Sequence, residues 1–576
     1  MKLLKIAIKL MLLQYLIFSV NIVDAQSINS ELAYLHTDRN VYVAGESIFY
    51  KLYILNNATY KCFDNSKIAY IVIRSIKNNP VIKIHVKIDK GLSNGRIILP
   101  DSIATGYYQI LAYTSAIKNL GETFYFKKEI FIANRFDKLL NFNTIDLSTK
   151  DTNLVSKQDT TINIKTDKDE YGVREKVIVN ISNFDSKANV SVSVYEEPQI
   201  KMIDETLVGA INIQKYTLSN NLNKTFYTPE TKSKILRGTV VDSKTNEKVK
   251  NSIVLLSCLD TIPNLQYAIT DSQGLFQMLL GEYYNGKELF LTIKNVPENE
   301  NWLIKIEDDF ELTSKWNPII TLFNNKEKKD FITKSQNISY VNKVYSQDNV
   351  LNVKELNPTK VICPKLYNCS STTIFPADYI SLPDFLEITV EILAQVRLVK
   401  EDGKYAIKVF NTLLKEFNKS DPAIFLDGVY VDDINKIIKL GSNQIQKIEI
   451  VDTERAFGDL VFSGVISIIS KDKEIIRTKP TINSLRVKNM SFSNTDELMN
   501  FNSYIPQNKH IPFIKQLLYW HPNLELNVNT NTNFEFYTSD NKANFLIHVE
   551  GITENGRPIS KLGRIKVTES INVNDK

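Results

Sequence analysis

The chain has 576 residues, too many for one hydrophobic core, and is expected to divide into roughly three to five domains. Its net charge of +5 comes from interspersed basic and acidic residues, which excludes the clustered basic face of a nucleic-acid binder. Four cysteines are few for an exported chain.

At the N-terminus Lys2, Lys5 and Lys9 precede an uncharged, mostly apolar run over 10–23. Val23-Asp24-Ala25 reads as a cleavage site before Gln26, so residues 1–25 are expected to be a secretory signal peptide. The run is shorter than the ~18 to 20 residues of a membrane span. No cysteine lies near the cut, which argues against a lipoprotein anchor there.

A pattern then appears twice. His36-Thr37-Asp38-Arg39 leads to Tyr42, Gly45 and Glu46, and Lys165-Thr166-Asp167-Lys168 leads to Tyr171 and Glu175. After each glutamate the apolar residues alternate, as Ile48, Tyr50, Leu52 and Ile54 and then as Val177, Val179 and Ile181. Period-two alternation is the mark of a half-buried strand. Two related β-sandwiches are expected, over 26–147 and 160–228, with polar linkers at 148–161 and 218–233. The exchange of His36 for Lys165 suits a surface residue flanking a turn. Tyr107, Tyr108, Tyr113 and Tyr125 are strand aromatics that either pack inside or present a binding face.

A third unit opens at Gly238 and runs through a hairpin turn bracketed by Asp271 and Gly274, which should aim Phe276 into a core; a sandwich is expected over 233–300. Residues 301–382 show no strong periodicity and are left as an uncertain region and linker. Helical spacing of Phe385, Ile388, Ile392 and Val396 predicts a helix over 384–396. It opens a small α+β unit over 383–475 with strands at 423–426, 445–451 and 465–469. A last β-sandwich is expected over 505–570.

Cys363 and Cys369 are close enough to form a local disulfide or to remain thiols. Cys62 and Cys258 are expected to be buried free thiols. No pair has zinc spacing, and no phosphate loop, dinucleotide fingerprint or calcium loop is present, so no cofactor or metal is expected. His36, His85, His510, His521 and His548 lack a serine or cysteine partner at a recognisable spacing. Asp432-Asp433 reads as a polar loop rather than a paired-carboxylate site.

Several of these residues carry resemblances. Tyr42, Gly45 and Glu46 with Leu99-Pro100, Gly106-Tyr107-Tyr108 and Ala112-Tyr113-Thr114 resemble the macroglobulin-type domain of bacterial alpha-2-macroglobulin-like proteins. Gly238-x-Val240-x-Asp242 and Thr270-Asp271-x-x-Gly274-x-Phe276 resemble the transthyretin-like carboxypeptidase regulatory domain. Asp427-Gly428-Val429, Ile448-Glu449-Ile450, Phe457-Gly458 and Gly464-Val465-Ile466 resemble the plug of TonB-dependent outer-membrane receptors. Trp520-His521-Pro522, Phe536-Tyr537-Thr538-Ser539-Asp540 and Gly551-Ile552 resemble the sandwich that closes such chains. This order of domains is similar to envelope proteins of the Bacteroidetes.

The resemblance implies a mainly β, multi-domain chain of immunoglobulin-like or macroglobulin-like sandwiches with one small plug-like α+β domain. It implies a non-enzymatic exported protein of the periplasm or outer-membrane surface that binds a protein or ligand, peripheral membrane association included. A protein partner is expected, with an outer-membrane β-barrel receptor as one candidate. Two alternatives stand beside this, an accessory subunit of a TonB-dependent uptake system and a peptidase-inhibitor-like relative. About a hundred residues follow Lys471 and read as one sandwich, so the chain is not expected to be a transporter by itself. The Cys-x-Glu-Gln thioester of protease-trapping macroglobulins follows none of the four cysteines.

Overall fold

The computed structural model describes residues 30–137, 162–182, 185–198, 207, 227–297, 300–310, 312–316, 326–345, 366–367, 369–401, 404–418, 420–473, 484–489 and 510–569. The signal peptide, the 148–161 linker, most of the 218–233 linker and Cys363 lie outside them. The protein is mainly β and divides into two compact units. The first comprises 1–232, 309–357 and 492–576, and the second 233–308 and 358–491.

The first unit opens with eight strands: β1 (Glu31–Thr37), β2 (Val41–Val43), β3 (Ser47–Asn56), β4 (Ile68–Ser75), β5 (Pro80–Lys87), β6 (Leu92–Ile98), β7 (Gly106–Tyr113) and β8 (Phe126–Ala133). They form a three-stranded sheet, β1-β3-β6, over a five-stranded one, β2-β8-β7-β4-β5. Ile48, Tyr50, Leu52 and Ile54 are all buried, as their alternation predicts. Tyr107, Tyr108, Tyr113 and Tyr125 are buried too, so they pack rather than present a face.

A second set follows as β9 (Asn163–Thr166), β10 (Glu170–Tyr171), β11 (Lys176–Ser182) and β12 (Ala188–Glu196). Its sheets are completed only near the other end of the chain, by β13 (Leu517–Leu526), β14 (Thr532–Tyr537), β15 (Asn544–Thr553) and β16 (Pro558–Val567). The orders β9-β11-β14 and β10-β16-β15-β12-β13 repeat those of the first sandwich strand for strand. Even the short parallel pair recurs, Val41 opposite Phe131 and Glu170 opposite Lys566.

The expectation of separate sandwiches over 160–228 and 505–570 is therefore corrected: they are two halves of one. Val177, Val179, Val190, Val192 and Val194 share a single core with Leu518, Phe536, Phe545, Ile547 and Ile565. Each half supplies strands to both sheets, but neither completes either one. The second unit enters between β12 and β13, where the first sandwich has only the short link from β4 to β5.

Part of the uncertain region also belongs to the first unit. Phe310 stacks on His85 at 4.9 Å, Arg74 donates to the Ser314 carbonyl at 2.9 Å, and the Trp316 indole donates to Glu129 at 2.9 Å. These contacts cover the outer face of the first five-stranded sheet. A helix, Lys326–Val344, packs Phe331 and Ile332 with Trp316 against Val41 and Phe131.

In the second unit, Lys234–Asp242 pairs with Leu275–Leu280 and Trp302–Ile306, opposite a sheet of Gln266–Ile269, Ile253–Cys258, Glu288–Lys294 and Ser484–Lys488. The last strand comes from far along the chain, outside the expected 233–300 limits. Asp271 Oδ1 accepts the amides of Gln273 and Leu275, Gly274 takes φ +66°, and Phe276 is buried. Gly238 leaves room for that ring, since a Cβ there would lie 2.5 Å from Phe276 Cζ.

The α+β part of the second unit has a five-stranded sheet of Thr372–Ile374, Ile445–Val451, Val465–Ser470, Ala423–Leu426 and Val429–Tyr430. Its helix, capped by Asp384, covers only Phe385–Glu391. The expected extension to 396 fails because Val396 begins a strand paired with Lys404–Asn411. Among the described residues no helix is long and apolar enough to cross a membrane, which says nothing of a β-barrel.

Candidate functional site

The repeated motif forms the same staple in both sandwiches. Tyr42 donates to Asp38 Oδ1 at 2.9 Å, and that oxygen also accepts the Phe49 amide at 2.8 Å. In the second copy Tyr171 donates to Asp167 Oδ1 at 2.7 Å, which accepts the Ile178 amide at 2.8 Å. Glu46 accepts the Val43 amide and pairs with Arg39; Glu175 accepts the Gly172 amide and pairs with Lys168. The two staples differ in burial. Burial pushes the Asp38 carboxyl up to about 6, despite the neighbouring Arg39 guanidinium. Asp167 is exposed; what burial it has raises its carboxyl less than the Ile178 amide and the Tyr171 hydroxyl lower it, so it sits below its ordinary value.

The other predicted motif residues are also structural. Gly45 lies in the turn between β2 and β3, Gly458 in the hairpin joining Arg455–Phe457 to Leu460–Phe462, and Gly464 ahead of Val465–Ser470. Asp427, next to Gly428, is buried and accepts from the Ser470 amide at 2.8 Å and its hydroxyl at 2.5 Å. Asp540 clamps Arg174 through both carboxylate oxygens at 2.6 Å. Pro522 sits where the β12–β13 register shifts, which suits a residue without an amide to donate. Asp433 accepts the Asn435 amide and Asp432 pairs with Lys436, a polar loop.

Cys258 is buried, whereas Cys62 is exposed, a correction: Cys62 lies in the loop after β3, bridged only to Leu55. Cys369 is exposed, and its expected pairing with Cys363 lies outside the described residues. Among the described residues no three His, Cys, Asp or Glu side chains group as metal ligands.

Sequence reasoning placed His36 on the surface, and the structure corrects this: it is fully buried between the sandwiches. The outward side of β3, with Phe49, Lys51 and Tyr53, lies against β12, β13 and β15. Lys51 donates to Asn189 and Asn523, and Tyr53 to the Glu550 carbonyl at 3.1 Å. Phe49 packs with Tyr195, Leu517 and Trp520.

His36 Nδ1 lies 2.7 Å from Ser191 Oγ, which itself donates to the Glu550 carbonyl at 3.2 Å. The Ser191 hydroxyl also reaches Tyr53, so in either tautomer one ring nitrogen is spent on Ser191 and Nε2 has no partner. The ring meets His548 edge-on at 4.8 Å and Trp520 at 5.3 Å. His548 Nε2 lies 2.8 Å from Glu550 Oε1, to which Ser560 donates at 2.7 Å. Burial first, then His548, Lys128 and Lys51, hold the His36 imidazole well below its ordinary value. Burial brings the Lys51 ammonium down to about 7. Serine, histidine and carboxylate meet here, but Ser191, His36 and Glu550 are all sealed from solvent, so the cluster is a junction and has no opening for a substrate.

The fold thus defines a mainly β, multi-sandwich protein in which one sandwich is split by an inserted unit. No family model matches the chain and no curated protein matches it. Among solved structures it is similar to trypsin-activated alpha-2-macroglobulin from Escherichia coli, at 9% identity and a TM-score of 0.24 over 94% of this chain and 42% of that one. It is likewise similar to the native conformation of E. coli alpha-2-macroglobulin, with the same identity and TM-score and 40% of that chain covered. A Salmonella alpha-2-macroglobulin reacted with methylamine matches at 7% identity and a TM-score of 0.16, with 23% of that chain covered. The chain spans less than half the length of each. Likenesses of this size carry no argument about activity.

Proposed function

We propose that the protein is an exported, non-enzymatic envelope protein whose sandwiches bind a protein partner in the periplasm or at the outer membrane. The observation that supports this is the open edge of β16. On the side away from β15, β10 meets only Lys566 and Val567, and among the described residues no strand pairs there with Lys561 to Arg564, which are partly or fully exposed. An edge strand with unpaired N–H and C=O groups accepts an added strand, its main chain giving affinity and its side chains selectivity. At the C-terminal end of that strand lies a groove of about 780 Å³, lined by Glu196, Glu197, Asp330, Lys334 and Lys566 among others. Its mixed charge suits a polar polypeptide better than an apolar ligand.

The test is affinity purification of tagged full-length protein from detergent-solubilised native envelopes, with partners identified by mass spectrometry. A stoichiometric protein partner is expected, lost when Leu562 and Arg564 are both replaced by proline. A β-barrel receptor as that partner would make the protein an uptake subunit. Recovery of the protein alone from every fraction would overturn the reading.

A further inference from the structure

The junction between the sandwiches joins two sheet faces, β1-β3-β6 of the first and β12, β13 and β15 of the second, yet its centre is polar. His36, Lys51, Ser191, Ser193 and Glu550 are fully buried there, a composition unlike the apolar middle of an ordinary sheet-on-sheet contact. Buried polar groups are stable only while each finds a partner. Here the balance depends on protonation.

We propose that this junction is an acid-operated contact, in which proton uptake by His36 loosens the first sandwich from the second. The neutral ring uses Nδ1 for Ser191 and leaves Nε2 without an acceptor, so an added proton has nothing to bind. The groups around it do not welcome the charge. Lys51 and Tyr53 face it from β3, Lys128 from β8, Ser191 from β12, Trp520 from β13, and His548 with Glu550 from β15. The Glu550 carboxylate is already held by His548, Ser560 and the Leu207 amide.

The sign follows from linkage. A histidine whose folded value is depressed contributes stability that is present above its unfolded value, near 6.5, and lost as pH falls below it. Lys51 has taken up its proton by about pH 7, so below that it adds a fixed positive charge beside the ring and no further pH dependence. Asp38, on the same chain segment, is raised and opposes the loss as pH falls through about 6. The loss therefore rests on His36, over the interval in which histidine switches act.

The test is hydrogen exchange of the full chain read by mass spectrometry at pH 7.5 and 5.5, corrected for the intrinsic rate. Peptides from β1, β3, β12 and β15 should lose protection at least about tenfold at the lower pH, which lies about one unit below the ordinary imidazole value. Peptides from β7 and from Ile445–Val451 should not change. In His36→Asn, which keeps a donor for Ser191 but does not titrate, the selective loss should disappear. Should that variant be unprotected already at pH 7.5, Lys51→Met decides: a transition moved to lower pH supports the proposal and an unmoved one overturns it. Equal protection of the wild-type junction at both pH values overturns it as well, as does a loss shared equally by all peptides.

Discussion

In the first sandwich the outward side of β3 carries Phe49, Lys51 and Tyr53, all buried against its neighbour. In the second, the equivalent side of β11 carries Lys176, Ile178 and Asn180, of which Lys176 and Ile178 are exposed. His36 and Lys165 are the same position in the two copies, one sealed and one in water. The difference teaches that the fold was duplicated while the assignment of faces was not. One copy's three-stranded sheet docks on the other's five-stranded sheet, a head-to-tail contact that could in principle continue. It stops because the free three-stranded face alternates polar with apolar and the free five-stranded face is covered by Phe310, Ser314 and Trp316. Repeat arrays end on polar caps for the same reason.

The comparison is broken most severely by removing the C-terminal strands. A chain ending at residue 491 retains all of the first sandwich but loses β13 to β16, so the second should not fold. Circular dichroism should show a loss of sheet signal, and limited proteolysis should cut 162–196 while sparing 30–137. A chain in which β9 to β12 stayed protected would mean that the strand-for-strand equivalence is not needed for stability.

Removing the staples sharpens the contrast in burial. Tyr42→Phe strips a hydrogen bond from a sealed carboxylate and should cost about 1–3 kcal/mol in denaturant unfolding. Tyr171→Phe does the same at an exposed carboxylate and should cost roughly 0.5–1 kcal/mol. Similar losses would show that burial does not separate the copies.

The same aspartates should respond oppositely to pH. Asp38 is raised to about 6, so its contribution is full below its unfolded value and lost as pH rises through 6. Asp167 is lowered, so its contribution is present above its unfolded value and lost as pH falls. Relative to wild type, Asp38→Asn should therefore gain stability between pH 4 and 7 while Asp167→Asn loses it. The change should be on the order of 1 kcal/mol or more for the buried group and smaller for the exposed one. Urea midpoints at the two pH values read both. The smallest effect is expected for Lys165→His, on an open face, within about 0.5 kcal/mol.

Much of the local structure was legible. The alternation after Glu46 and Glu175 and the turn at Asp271 and Gly274 are set by near neighbours, so composition and spacing report them. What stayed hidden was non-local. Val190-Ser191-Val192-Ser193-Val194 reads as a strand with one wet face, and period-two alternation cannot tell water from a polar protein surface. The serines, with His36, turned out to be the centre of the junction. Likewise 511–567 carries every mark of β structure, and nothing in it says that its partner strands lie before residue 197. The helical spacing overran Glu391 because Val396, though in phase with the helix, opens the strand that pairs with Lys404–Asn411.

The split sandwich also fixes an order of events during synthesis. The first sandwich is built from a continuous stretch and can close as soon as β8 has emerged. The strands β9 to β12 have no such option, and their apolar sides must wait while the whole inserted unit is made. Contacts between segments so far apart in sequence form late and leave unpaired strands open to wrong partners. The arrival of β13 to β16 thus acts as a closing stitch, and until it is drawn His36 remains in water and free to take up a proton.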